Sequence, residues 1–386
     1  MVTVLSEAAR SPRHERIARV RERMREMEVD ALLLSHGADL PWLTGYRAMP
    51  LERLTMLVLR AEGDPVMVVP ALEAPRVAQA DDLFTMAPWS DTDDPIALVG
   101  ALVGRASGTG GPLHLAVSDR AWATTVLALQ RRWPDARWTE ASTVTSPIRA
   151  VKDPRELQAL RMAAAAADRV ASLLQAGKIG LIGRTESEVS GDLAALLVAE
   201  GHQQVNFAIV GSGPNAASPH HQPGSRVIGT GETVVCDFGG TFALDGDVGY
   251  CSDITRTVVT GPPSGQIDEC YQVLEAAQRA AVASARSGVT AEQVDRAARD
   301  VIDDGGFGHL FLHRTGHGIG IEEHEDPYLV AGNSTPLQPG NAFSVEPGIY
   351  RSGAFGMRLE DIVVIGEDGS PESLNTVDHG LVVVEA

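Results

Sequence analysis

Cysteine is scarce in this chain: Cys236, Cys251 and Cys270 are the only three in 386 residues. An odd number in so long a chain argues against a disulfide framework, and free core thiols are the expected state. Cys236 and Cys251 facing each other on paired strands is the alternative left open. Long apolar runs are missing as well. None approaches the roughly 20 residues that a bilayer crossing needs, and Met1–Arg13 has no apolar stretch followed by a small-residue cleavage site. A soluble, cytoplasmic protein without a membrane partner is expected. Positive charge is in deficit, 32 Lys and Arg against 51 Asp and Glu, for a formal net charge of −19. That balance offers no electrostatic footprint for nucleic acid or an anionic membrane. The glycine-rich Gly211-Ser-Gly213-Pro214-Asn215 lacks the Lys-Ser/Thr of a phosphate loop and the helix of a dinucleotide fingerprint. It is expected to be a turn leading to His220.

What is present suffices for two domains, with 44% hydrophobic residues to fill their cores. Residues 1–13 are expected to be poorly ordered. An α/β layer follows over 14–148: a charged helix from Arg16 to Glu28, a buried strand at Ala31–Leu34, a hairpin from Leu54 to Val69 turning at Glu62-Gly63-Asp64-Pro65, a strand at Leu113–Val117 and a helix from Trp122 to Arg132. His36 and His114 fall in its strands and are read as structural histidines. A second domain is expected over 149–386. Asp153 can cap its first helix with Pro154 in the first turn, and Ala163–Ala167 is plain helix interior. Two segments echo each other, Gly183-Arg-Thr185-Glu-Ser-Glu188-Val189 and Gly288-Val-Thr290-Ala-Glu-Gln293-Val294. Each is a capping box that opens an amphipathic helix after a longer one.

The chemistry is concentrated in the last part of the chain. Asp237 closes the apolar run Thr233–Cys236, Glu346 closes Ala342–Val345, and Glu360 precedes Ile362–Ile365, all of which read as buried strands. A carboxylate at the end of a buried strand needs a partner or a metal. With Asp253 and His317 they form a set of four carboxylates and one imidazole, an oxygen-rich group suited to hard or borderline divalent ions. Manganese, cobalt and zinc are therefore ahead of copper or iron–sulfur. Without metal, converging carboxylates would raise each other's pKa and oppose folding; two divalent ions cancel that charge.

The ordered motifs Asp-Phe-Gly-Gly, Gly-Tyr-Cys-Ser-Asp-Ile-Thr-Arg-Thr, His-Arg-Thr-Gly-His-Gly-Ile-Gly, His-Glu-Asp-Pro-Tyr-Leu, Val-Glu-Pro-Gly-Ile-Tyr and Arg-Leu-Glu-Asp resemble the pita-bread metallopeptidases. The likeness is to their Xaa-Pro dipeptidase and Xaa-Pro aminopeptidase (prolidase-like) branch. It implies an α+β protein, with an N-terminal α/β creatinase/prolidase-type domain followed by a pita-bread domain of duplicated ααββ halves. Through the resemblance, Asp237 and Asp253 lie on adjacent antiparallel strands, His317 and Glu346 on the other half of the sheet, and Glu360 on the strand after it. Asp253 and Glu360 bridge two metals, with Asp237 on one and His317 and Glu346 on the other. Mn²⁺ is the leading ion, with Co²⁺ or Zn²⁺ as alternatives. Ions roughly 3.5 Å apart can hold a bridging water as hydroxide, the nucleophile, and polarise the scissile carbonyl.

The resemblance adds His324 as oxyanion stabiliser, and His220 and His313 on the proline side of the substrate, with His221 as the twin that sequence does not separate from His220. Glu346 doubles as proton shuttle, because a proline nitrogen has no N–H and must gain a proton as its C–N bond breaks. Arg358 and Tyr250 are candidate pocket or supporting residues. The stretch between Asp237 and Asp253 is longer than is common in the family, and Leu244–Val248 reads as a turn insertion in which Asp245 and Asp247 are solvated rather than ligating. The expected activity is metal-dependent hydrolysis of Xaa-Pro bonds in short proline-containing peptides, by a homodimer. The alternatives are a metal-free creatinase-like amidinohydrolase, which should lack several of these ligands, and a non-catalytic scaffold.

Overall fold

The computed structural model describes residues 12–77, 83–104, 111–244 and 247–384. The chain divides into two compact units, Met1–Ile148 and Arg149–Ala386.

The first unit is built on six strands: β1 (Ala31–Leu34), β2 (Met56–Arg60), β3 (Val66–Pro70), β4 (Thr85–Trp89), β5 (His114–Val117) and β6 (Arg137–Glu140), in the order β4-β3-β2-β1-β5-β6. Pairings β1–β2 and β2–β3 are antiparallel, the others parallel. Ala31-Leu32-Leu33-Leu34 is wholly buried, as a central strand covered on both faces must be. The unit's helices are α1 (Pro12–Glu26), α2 (Asp39–Thr44), α3 (Ala74–Val77), α4 (Pro95–Val103), α5 (Ala123–Arg132) and α6 (Ser142–Arg149). Helix α1 starts four residues before the expected Arg16 and stops before Glu28, which adopts a left-handed φ of 55° that ends the helix. Pro12 and Arg13 thus belong to α1, and the rest of the stretch expected to be poorly ordered lies outside the described residues. His114 opens β5, with its Nδ1 3.1 Å from the Glu28 carbonyl, whereas His36 lies beyond β1, its ring 5.3 Å from that of Trp122.

The second unit repeats a helix pair followed by strands. Helices α7 (Pro154–Gln175) and α8 (Glu186–Ala199) precede β7 (Gln204–Ser212), β8 (Thr233–Phe242), β9 (Tyr250–Cys251) and β10 (Ile254–Val259). Helices α9 (Gly265–Ser284) and α10 (Ala291–Asp304) precede β11 (Gly316–Gly318), β12 (Glu325–Leu329), β13 (Ala342–Val345), β14 (Gly348–Arg351), β15 (Phe355–Arg358), β16 (Asp361–Ile365), β17 (Pro371–Ser373) and β18 (Val382–Val383). Thr185 with Glu188 and Thr290 with Gln293 close capping boxes on α8 and α10, the positions where the sequence echo lies. Asp153 caps α7 with Pro154 in the first turn, and the box is completed by Glu156. Each helix pair buries one apolar face on its own sheet. Val170, Leu174, Leu193 and Leu197 pack on Val234, Phe238 and Val258, while Leu274, Val294 and Ile302 pack with Phe343, Val345 and Val363.

The strands form two five-stranded sheets rather than one. The first has the order β18-β10-β8-β7 with β9 on β8, and the second β12-β11-β13-β16-β17; β14 and β15 form a separate hairpin. An isolated bridge, Thr255 to Glu360, joins residues of the two halves. Cys236, Cys251 and Cys270 are all buried free thiols. No helix among the described residues is long and apolar enough to cross a membrane.

Candidate active site

Asp237 was expected at a strand end but lies in the middle of β8, opposite Ile209 on β7 and Thr255 on β10. Gly239 and Gly240 let the strand run on at close quarters. A Cβ on Gly239 would fall 2.1 Å from the Ser252 carbonyl oxygen. Asp253 stands one residue before β10, Glu346 one residue after β13, and Glu360 one residue before β16. His317 is the centre of β11 between two glycines. A Cβ on Gly316 would meet the Ser344 oxygen at 1.9 Å, and one on Gly318 the Asp326 oxygen at 2.2 Å, so the strand sits flush against its neighbours. The short strand thereby holds the imidazole in one place.

These five side chains line one cavity of about 820 Å³, together with Phe207, Ile209, Ser218, Pro219, His220, Leu312, His313, Arg314, Glu323, His324 and Arg358. Ligating atoms of Asp253, His317 and Glu360 lie within 4.8 Å of one another. His317 Nδ1 is 3.1 Å from the Gly318 carbonyl, which can only accept, so Nδ1 carries a proton and Nε2 is the nitrogen turned to the carboxylates. That Nε2 is 3.2 Å from Glu346 Oε1 and 3.7 Å from Asp253 Oδ2. Thr255 Oγ1 donates to Glu360 Oε2 at 2.7 Å. Arg358 pairs with Asp237 Oδ2, whereas the buried Asp237 Oδ1 accepts no hydrogen bond.

The electrostatics match the crowding. Burial, then the charges of Glu360, Asp237 and Glu346, push the Asp253 carboxyl well above the usual range. Burial, then Glu346 and Asp237, do the same to Glu360. Burial also raises Asp237 against the pull of Arg358. Glu346 goes the other way: burial opposes ionisation, but the hydrogen bond and charge of His317 hold its carboxyl down to about 2. Oxygen-rich ligands, an orphaned buried oxygen and carboxylates that repel one another fit divalent cations of hard or borderline character.

That arrangement predicts a pH dependence. In the metal-free fold, Asp253 and Glu360 keep their protons to higher pH than the unfolded chain does. Stability is therefore lost as pH rises from the unfolded carboxylate range, about 4, through their raised values. Cations that replace those protons remove the loss. The rise in Tm on adding saturating Mn²⁺ is expected to grow between about pH 5 and pH 7.5. A calorimetric series in which the rise shrinks with pH would contradict this.

The histidines divide. His220 is exposed on the cavity, while His221 Nε2 turns away to the fully buried Glu186 at 2.8 Å. His313 lies on the wall with both nitrogens engaged: Nδ1 donates to the Arg314 carbonyl at 2.7 Å, and Nε2 accepts from the Tyr350 hydroxyl at 2.9 Å. Tyr350 in turn accepts from Arg358 at 2.9 Å, which links His313 to Asp237. The His324 ring lies 3.9 Å from that of His317, and its Nδ1 is 3.3 Å from Arg314 Nη2. Since a guanidinium only donates, the proton of neutral His324 sits on Nε2. Burial, then His317 and Arg314, pull its pKa down to about 4, so it is neutral at neutral pH.

Two expected supporting residues fare differently. Arg358 reaches the site, but Tyr250 does not line the cavity; its hydroxyl donates to Glu156 at the start of α7. Asp247 lies 3.5 Å from Arg155, away from the lining, and Asp245 falls outside the described residues. Sequence reasoning missed Arg314, Tyr350, Thr255 and the apolar wall of Phe207, Ile209 and Leu312. The first three stand inside the recognised motifs, and Phe207 and Ile209 share a face of β7 by the period of two.

A family model described as metallopeptidase family M24 matches residues 157–367, and one described as the creatinase/prolidase N-terminal domain matches 16–151. The chain is 46% identical to a probable dipeptidase PepE of Mycobacterium tuberculosis over 359 residues, 92% of each chain. It is 34% identical to an Xaa-Pro dipeptidase of Lactobacillus helveticus, covering 88% of this chain and 91% of that one. The crystal structure of dipeptidase PepE from Mycobacterium ulcerans superposes with a TM-score of 0.90 at 44% identity, covering 97% of this chain and 98% of the other.

Proposed function

The chain belongs to metallopeptidase family M24 and carries a creatinase/prolidase-type N-terminal domain, and from that premise we propose that it hydrolyses the Xaa-Pro bond of dipeptides or short peptides with two divalent metal ions. The observation that carries the reading is the convergence of Asp237, Asp253, His317, Glu346 and Glu360 on one cavity. In this proposal the N-terminal domain covers 14–148 and the catalytic domain 149–386. Mn²⁺ as the ion and a homodimer come with it from the resemblance, and a cytoplasmic location from the sequence expectation.

Asp237, Asp253, His317, Glu346 and Glu360 would hold the two ions. Bound there, the ions supply Lewis acidity and an activated water. The protein's own residues do the rest. Arg358 fixes one oxygen of Asp237 and leaves the other, which lacks a hydrogen bond, for a ligand. His324, neutral with its proton on Nε2, donates to the oxyanion that develops on the scissile carbonyl. Glu346, ionised at rest, would take a proton from the attacking water and pass it to the proline nitrogen as the C–N bond breaks. His220 would hold the proline end, and His313, with both nitrogens engaged by the Arg314 carbonyl and Tyr350, would offer its ring as a wall there. Phe207, Ile209 and Leu312 offer apolar surface and exclude water from the substrate's side chains.

The test is protein stripped of metal, reloaded with Mn²⁺ and given Ala-Pro and Ala-Pro-Ala, with free amino acids followed. Cleavage of Ala-Pro alone is the dipeptidase outcome, and release of Ala from the tripeptide the aminopeptidase outcome. Silence on both, with and without metal, overturns the proposal.

A further inference from the structure

We propose that the buried clamp of Lys152 and Arg149 on Glu325 is the device that aims His324 into the cavity, an inference that rests on the peptidase reading above. His324 closes the bend that leads into β12 and Glu325 opens the strand, and their two side chains go to different surroundings. One faces the cavity. The other turns its carboxylate to Lys152 Nζ, 2.7 Å from Oε1, and to Arg149 Nη2 at Oε2. Arg149 also reaches Glu322 at 2.9 Å, so it grips the loop on both sides of His324. None of Arg149, Lys152 and Glu325 lines the cavity, which makes them positioning residues rather than catalytic ones.

The clamp is dry and anchored. Side-chain exposure is 1% for Lys152 and 8% for Glu325. Lys152 is one of only two lysines in the chain, Lys178 being the other. Its amide donates to the Gly340 carbonyl at 2.9 Å, Val151 bridges Asn341, and Asn341 Nδ2 donates to the Ala150 carbonyl at 2.9 Å, which fixes the clamp against the start of β13. From the loop side, a Cβ on Gly320 would lie 2.4 Å from Glu325 Oε1, and the Cys251 amide holds the Gly320 carbonyl at 2.8 Å. The loop is therefore folded down onto the clamped carboxylate. Although burial opposes it, Lys152 and then Arg149 hold Glu325 ionised, below its ordinary pKa.

A buried ion pair adds little net stability over an apolar pair of the same shape. What it fixes here is geometry, and a displacement of about 1 Å at a reacting group can cost roughly 10²-fold in rate.

The experiment is a double-mutant cycle on the Mn²⁺-loaded full chain: Glu325→Gln and Lys152→Met, each in the wild type and in His324→Ala. The readouts are kcat and KM on the cleaved peptide, bound metal per chain and Tm. In the wild-type background each change is expected to lower kcat roughly 10- to 100-fold, with KM and metal content little altered. In His324→Ala the same changes should cost less than about 3-fold, because nothing is left to aim. Equal losses in both backgrounds overturn the inference, as does loss of metal or of the fold in both variants, or an unaltered kcat. A wild type silent on Xaa-Pro peptides overturns the peptidase reading and this inference with it, whereas an active wild type with an additive cycle overturns this inference alone.

Discussion

Asp253→Asn is expected to lower kcat/KM by at least about 10³-fold, a loss of ~4 kcal/mol of transition-state stabilisation, and to leave the protein with less than its full metal complement. The substitution is nearly isosteric, so the cause is charge. Asp253 stands beside His317 and Glu360, with ligating atoms within 4.8 Å. In the proposed site an amide would not replace the charged carboxylate as a ligand. The metal-free variant should nevertheless be no less stable than the metal-free wild type, because the mutation removes a buried carboxyl whose ionisation burial and its neighbours oppose. Elemental analysis and steady-state rates decide the matter. A variant with wild-type turnover and two bound ions would refute the assignment of the site.

Arg256→Met is expected to be strongly destabilising, costing about 3–5 kcal/mol and lowering Tm by roughly 6–20 °C. Arg256 and Asp361 form an ion pair at 2.8 Å with neither side chain exposed. The same guanidinium donates to the carbonyls of Asp378, Thr255, Glu360 and Val377, so it ties β10, the residue before β16 and the chain approaching β18 behind the site. Methionine fills the volume of the stem but satisfies none of these acceptors and leaves a buried carboxylate short of its cation. Asp361 also accepts from Gln278 at 3.1 Å and His379 at 2.7 Å, and its carboxyl lies below the ordinary range: burial opposes, but His379 and Arg256 prevail. A depressed carboxyl contributes stability above its unfolded pKa and loses it as pH falls. The gap between wild type and variant should therefore stay full down to about pH 4, the unfolded carboxyl's range, and narrow as pH falls below it. Denaturation at neutral and acid pH measures it, and a gap that widens would show that lost packing rather than charge dominates.

Both predictions begin from motifs legible in the sequence, yet their force comes from tertiary surroundings. Asp253 and Arg256 belong to one motif, Ser-Asp-Ile-Thr-Arg-Thr, in which the alternation of β10 separates their roles. The sequence alone determined the order of the five candidate ligands, the Asp153 cap that opens α7, the capping boxes that open α8 and α10, and the buried strands Ala31–Leu34 and Ala342–Val345. These follow from short-range rules, because a cap acts over three residues and burial on both strand faces needs an unbroken apolar run.

Only the tertiary structure decided which polar groups meet. His220 and His221 are neighbours with the same chemistry, and the buried Glu186, far from them in sequence, takes one and leaves the other on the cavity. Tyr250 sits within a recognised motif but answers to Glu156 on α7. Asp237 reads as a strand end, but β8 runs on through Gly239 and Gly240, where another backbone lies too close for a side chain. Contacts between residues remote in the chain depend on how whole elements pack, and no local pattern records that.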